Sequence, residues 1–177
     1  MKVKRVHKDA VLPRYAKEGD SGFDLVAVQE TIIEPGETKL IKTGLAFDIP
    51  KGYEIQVRPR SGVTLRTKLR VQLGTVDSNY RGEVGVIVDH ILDEPWNWST
   101  GGLTVLPTVS TLDGEIIDWK EDIALDSYLI RKGDRIAQGV LVPVVHTTFE
   151  EVDKLSNSER GTNGYGSTGV SANVDKH

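Results

Sequence analysis

The chain contains no cysteine, one methionine and three phenylalanines among 177 residues. Without cysteine there is no disulfide framework and no thiolate zinc site. The four histidines, His7, His90, His146 and His177, lack metal-ligand spacing, so they indicate no zinc site either. No apolar run approaches membrane-spanning length, and the start, MKVKRVHKDA, lacks the apolar stretch of a signal peptide. The expectation is a cytoplasmic protein without a membrane partner. A basic excess is missing too. The formal net charge is −4, which argues against a nucleic-acid polymer as ligand. It does not exclude a single nucleotide, which needs only a few well-placed arginines. Helical periodicity is scarce throughout.

What is present is an ordinary soluble composition, 38% hydrophobic and 27% charged, and a length that suits one domain or one domain with an insertion. Short strand signals recur between Gly and Pro turns. Ile55 and Val57 alternate with Glu54, Gln56 and Arg58, as in a half-buried strand. Further strand candidates are Thr31–Ile33, Lys39–Ile49, Glu83–Val88 and Arg135–Val145. The pattern predicts an all-β sandwich or barrel. A capping box, Thr148 with Glu151, predicts a short helix over Phe149–Leu155, and a helical turn is expected after Ser61. Residues 89–127 differ in composition, carrying Trp96, Trp98 and Trp119 and the acidic Asp118, Glu121 and Asp122. They read as an inserted accessory element between a core of residues 1–88 and 128–155. Residues 156–177 read as a polar, glycine-rich, flexible arm.

Five segments pair a glycine bend with charged or hydrogen-bonding side chains, the way a loop presents polar groups to a small ligand. They are Gly19–Leu25, Arg58–Gly62, Gly74–Gly82, Gly133–Gln138 and the tail Arg160–Gly169, RGTNGYGSTG. Singly, each is better read as a turn. Asp24 can cap one, and Asp77-Ser78-Asn79 can form an Asx-turn. The tail matches G-x-G-x-x-G letter for letter, yet only eight residues follow it, so no βαβ dinucleotide unit can form there.

Together and in this order the five segments resemble the motifs of the trimeric dUTPases. The pieces Arg-Ser-Gly, Asp-x-x-Tyr-Arg-Gly, Arg-Ile-Ala-Gln and Arg-Gly-x-x-Gly-aromatic-Gly-Ser-Thr-Gly carry the resemblance. It implies a jelly-roll-like (β-clip) homotrimer with sites between subunits. The implied reaction is hydrolysis of dUTP to dUMP and pyrophosphate by water attacking the α-phosphorus, with Mg²⁺ assisting. By resemblance, Asp77 activates the water and Tyr80 packs under the deoxyribose, leaving no room for a 2′-hydroxyl. The main chain of the hairpin Val71 to Thr75, Gly74 included, reads uracil. Arg60, Ser61 and Gly62 form the phosphate turn, Gln138 contacts the phosphate chain, and Asp24 holds the metal through water. In the tail, Tyr165 stacks on the base, and Arg160, Gly166, Ser167 and Thr168 close over the phosphates.

Three departures from the family pattern stand out: Asn79 for aspartate, Tyr165 for phenylalanine, and Gly139 where a larger apolar residue is common. Two other functions are weighed. A dCTP deaminase-like enzyme shares the fold class, but Asp77-x-x-Tyr80 and the complete tail favour the diphosphatase. A nucleotide-gated switch would bind a protein partner through Trp96, Trp98 and Trp119 of the insertion.

Overall fold

The computed structural model describes residues 1–92, 108–119 and 123–164. Trp96, Trp98, Tyr165, Gly166, Ser167 and Thr168 lie outside the described residues. The described chain forms thirteen strands and one short helix. In chain order they are β1 (Lys2–Arg5), β2 (Phe23–Val26), β3 (Thr31–Ile33), β4 (Thr38–Lys42), β5 (Leu45–Asp48) and β6 (Tyr53–Pro59). Helix α1 (Ser61–Arg66) follows, then β7 (Leu69–Val71), β8 (Gly74–Val76) and β9 (Gly85–His90). The series ends with β10 (Thr108–Thr111), β11 (Ile116–Asp118), β12 (Ser127–Ile130) and β13 (Arg135–Pro143). The architecture is all-β, with the helical turn after Ser61 where the sequence places it.

The strands make sheets ordered β2-β13-β6-β8, β11-β10-β12-β3, β4-β9-β7 and β1-β5. Alternation drives the packing. Ile55 and Val57 of β6, and Val86 and Val88 of β9, point into one core with Leu25, Ile33, Ile41, Leu45 and Ile136. The expected strand Lys39–Ile49 divides in two at Thr43 and Gly44. Gly44 has φ +68°, and a Cβ there would lie within 3 Å of His7, Ala10 and Val28. Only glycine permits this left-handed, crowded bend. Thr43 Oγ1, fully buried, donates to Val84 O at 2.5 Å and ties the bend to the segment entering β9.

Two expectations are revised. Val71 to Thr75 is not a paired hairpin: β7 pairs with β9, whereas β8 pairs with β6, so the segment crosses between sheets. No helix forms over Phe149–Leu155, because Phe149 and Leu155 remain exposed and a short helix without a buried face is marginal. Part of the tryptophan-bearing segment joins the main body's sheets. β10 and β11 form a hairpin, and β10 runs parallel to β12 with Val109 opposite Ser127. The main body spans Met1–Val145, and His146–His177 is a second unit.

Gly139, on β13, would carry a Cβ 2.5 Å from the Phe23 ring. The missing side chain is the space that ring fills. Gly139→Ala is expected to cost about 1–3 kcal/mol by overpacking, read as a lowered urea midpoint that Phe23→Leu partly restores.

His90 is buried at the end of β9, edge-on to Tyr128 with ring centroids 5.0 Å apart. Neither ring nitrogen has a hydrogen-bond partner among the described residues. Burial lowers its pKa below the ordinary 6.5, against smaller raising effects from Ile33, Glu34, Asp126 and Glu37. The unfolded chain then binds the proton more readily than the folded one. Stability is undiminished above about pH 6.5 and declines as the pH falls toward the lowered folded value. Urea midpoints between pH 7.5 and 5 should show this slope, flattened in His90→Gln.

Candidate active site

The sheet β2-β13-β6-β8 carries a chemistry-bearing segment on every strand or at its end. Asp24 of β2 lies opposite Gln138 of β13, and Gln138 lies opposite Arg58 of β6. Cross-strand partners share a face, so these three polar side chains form one row. Gly22 makes room for it, since a Cβ there would sit 3.1 Å from that of Gln138. β6 then runs directly into Arg60 and α1.

Asp24 is the centre of the charge. Its side chain is only 14% exposed and faces two guanidinium groups, with Arg60 Nε at 3.2 Å and Arg135 Nη1 at 3.3 Å. Arg60 Nη1 also donates to Arg135 O at 3.0 Å. Arg135 begins the Arg-Ile-Ala-Gln segment but has no role in the sequence reading. Its signal was available only as an unassigned cation close to Gln138. Asp24 Oδ1 is buried and receives no aligned hydrogen bond, despite its ion pair with Arg60.

A cavity of about 430 Å³ opens beside this cluster, bounded by Arg60, Gly62, Val63, Gly133, Asp134 and Arg135. The Gly133–Asp134 bend has φ +96° at the glycine and is clamped to the end of β2 by Gly133 N to Ala27 O and Ala27 N to Asp134 O, both 2.9 Å. Burial raises the Asp134 pKa, opposed by the hydrogen bond from Arg131 N at 2.8 Å.

The Asp77 segment sits elsewhere. Asp77 opens a turn closed by Tyr80 N donating to Asp77 O at 3.1 Å. Thr75, Asp77 and Tyr80 line a separate hollow of about 210 Å³. The Tyr80 ring is half-exposed, and its hydroxyl donates to Glu83 O at 3.0 Å. The ring and its hydroxyl occupy the space that a Gly82 side chain would fill. The glycine of Tyr-Arg-Gly is therefore what lets the tyrosine fold over its own turn. Arg81 anchors that turn, pairing with Asp48 Oδ1 at 2.5 Å.

Register fixes the separation of the two hollows. Ile55 lies opposite Val76, so Asp77 follows at the Glu54 end of β6, while Arg60 leaves the other end. From Glu54 to Arg60 is six residue steps of about 3.3 Å, about 20 Å in all. One chain does not bring Asp77 and Arg60 to one phosphorus. Val71 is buried in the core, so only its main chain is free to meet a ligand. In the second unit, Arg160 folds onto its own turn, with Nε donating to Asn163 O at 2.8 Å.

The family model for dUTPase matches residues 8–101 and 124–169. The chain belongs to the dUTPase family. Curated relatives named deoxyuridine 5'-triphosphate nucleotidohydrolase include that of Picosynechococcus sp., 40% identical over 96% of this chain and 99% of the relative. That of Clostridioides difficile is 37% identical over 96% and 97%. This dUTPase therefore has dUTP diphosphatase activity. Its fold is that of the Staphylococcus bacteriophage 80alpha dUTPase solved with dUPNHPP, at TM-score 0.85 and 34% identity over 96% of this chain and 98% of that one. That structure is described with the statement that phage dUTPases control transfer of virulence genes by a proto-oncogenic G protein-like mechanism. A point mutant of the phage phi11 dUTPase of S. aureus is 29% identical at TM-score 0.75, over 86% of this chain and 96% of that one. Its structure is described as revealing the coordination of a structural Mg(II) ion.

If Gly82 is what admits the Tyr80 ring, Gly82→Ala should lower kcat/KM for dUTP at least about tenfold. Steady-state assays would report that, while the unfolding free energy from urea titration should stay within about 1 kcal/mol of the parent.

Proposed function

We propose that hydrolysis takes place at a composite site in which one subunit supplies Asp77 and Tyr80 and a neighbour supplies Asp24, Arg60, Ser61, Gly62 and Gln138. The observation that carries this reading is the length of β6, which holds the two groups of residues about 20 Å apart in a single chain. A closed homotrimer lets each copy lend its Asp77 edge to the next. The polar arm, with Arg160, Tyr165, Gly166, Ser167 and Thr168, completes the enclosure and excludes bulk water.

Within that site Asp77 accepts a proton from water as the oxygen attacks the α-phosphorus. The bond from that phosphorus to the bridging oxygen breaks, and pyrophosphate leaves. The exposure of Asp77 on a turn suits this role, since the water must reach it. Tyr80 blocks the 2′ position of the sugar. Main-chain groups from Val71 to Thr75, including Gly74, read the uracil edge. The crossing between two sheets leaves Gln72 and Leu73 outside strands; Gln72 N donates to Ile87 O at 3.0 Å, so the other main-chain groups of the crossing would do the reading. Arg60 and Gln138 hold the phosphates, and Asp24 keeps the Arg60 fork in place.

Mg²⁺ would be held through Asp24, the carboxylate beside Arg60 and Arg135, which could accept from a metal-bound water. When bound, the ion neutralises charge on the phosphate oxygens. Among the described residues no cluster of three or more His, Asp or Glu would hold it without the nucleotide. In this reading Asp24 would be the protein's water-mediated anchor.

A second, regulatory reading rests on the segment at residues 89–127, of which the family model leaves 102–123 unmatched; Trp119 lies in that gap, Trp96 and Trp98 before it. Trp96, Trp98 and Trp119 would there meet a protein partner, an added role consistent with the control function described for the 80alpha relative.

Phosphate-product analysis with dUTP, UTP, dTTP and dCTP should give pyrophosphate from dUTP only, with none from Asp77→Ala. Appreciable UTP cleavage would overturn the role given to Tyr80. Co-refolding the separately inactive Asp77→Ala and Arg60→Ala chains should restore activity, to about a quarter of the sites for random mixing in a ring. A mixture as inactive as its parents would mean each site lies within one chain.

A further inference from the structure

Helix α1 exposes a cation that none of the five segments includes. Gly62, Val63 and Arg66 share one face of α1, with Arg66 four positions after Gly62 and three after Val63. That face borders the Arg60 cavity, with Arg66 on its rim beside Leu112 and Asp113 of the β10–β11 turn. Val63 is buried and pins the helix. Thr67 locks its end, with N and Oγ1 donating to Val63 O at 3.0 and 2.7 Å. The backbone that carries Arg66 is thus held while the residue itself is exposed.

The other charges around this cavity are already engaged. Arg60 and Arg135 both face Asp24. Asp134 accepts from Arg131 N, and Asp113 accepts from the Thr111 hydroxyl. Arg70, just beyond the helix, spends Nη1 on the carbonyls of Thr64, Thr67 and Leu69. Arg66 makes no ion pair or side-chain hydrogen bond among the described residues. It is a long cation with a fixed base, facing a cavity that a polyphosphate would enter. The helical rise of about 1.5 Å per residue sets it about 9 Å along the axis from Arg60. Two extended arginine side chains can close that separation on one phosphate chain.

We infer that Arg66 is a further substrate-binding residue, engaging the outermost phosphate of the nucleotide at the rim of the Arg60 cavity. The inference rests on the proposed placement of the phosphates beside Arg60. A guanidinium offers phosphate a forked, charge-assisted contact that glutamine cannot replace. The contact is to a phosphate that dUMP lacks, so the two ligands separate its effect from a structural one.

The test compares the parent protein with Arg66→Gln and Arg66→Lys, titrated calorimetrically with a non-hydrolysable imido analogue of dUTP and with dUMP. Arg66→Gln should weaken the analogue about tenfold or more, as loss of a charge-assisted hydrogen bond implies. It should leave dUMP binding unchanged and raise KM for dUTP more than it lowers kcat. Arg66→Lys should recover part of the loss. Unchanged analogue affinity in Arg66→Gln would overturn the inference, as would an equal loss for dUMP, which would mark a structural role. Failure of the underlying reading shows separately: Arg60→Ala would then leave analogue affinity at the parent value.

Discussion

The pairing of β6 with β13 is the constraint that shapes the whole site. It runs without a break from Ala137 opposite Pro59 to Pro143 opposite Tyr53. A strand of this length is a rigid spacer, because each residue advances the chain by a fixed rise and the pairing with β13 runs along its whole length. One end delivers Arg60 into α1. Across β8, the other end sets the level at which Asp77 emerges. A protein that bound its ligand within one chain would need these groups to converge, and the spacer keeps them apart. Association of copies then becomes a requirement of the proposed chemistry rather than an embellishment of the fold.

The second organising feature is electrostatic. This acidic chain gathers guanidinium groups around one almost buried carboxylate, Asp24. A lone exposed ion pair would contribute little, since solvent screens it and side-chain entropy opposes it. Here the carboxylate is sheltered and the Arg60 fork also reaches the Arg135 carbonyl. The value of such an arrangement lies in orientation. Two cations are held near each other by the fold, so in the proposed site the cost of bringing them together falls on folding and not on binding.

The glycines of the motifs do different work, and the structure separates them. Gly82 is an absence filled by the Tyr80 ring, and Gly22 is an absence beside Gln138. Gly133 instead supplies a left-handed bend. A sequence shows each of these as the same letter. Whether a glycine serves shape or conformation depends on which side chain comes to lie over it, and that partner is often distant in the chain. Gly139 and Phe23 are the clearest pair.

The all-β class, the family, the helical turn after Ser61 and the order of the five segments were all legible in the residue order. Each is encoded locally, in alternation, punctuation or motif spacing. Contacts between remote residues settled the remainder. They split Lys39–Ile49 at the crowded Gly44, parted the expected hairpin before Asp77 between two sheets, and drew β10 alongside β12. The capping box at Thr148 is left without a helix, because nothing covers Phe149 and Leu155. Burial and register are properties of the assembled chain, and a local pattern carries only half of each pairing.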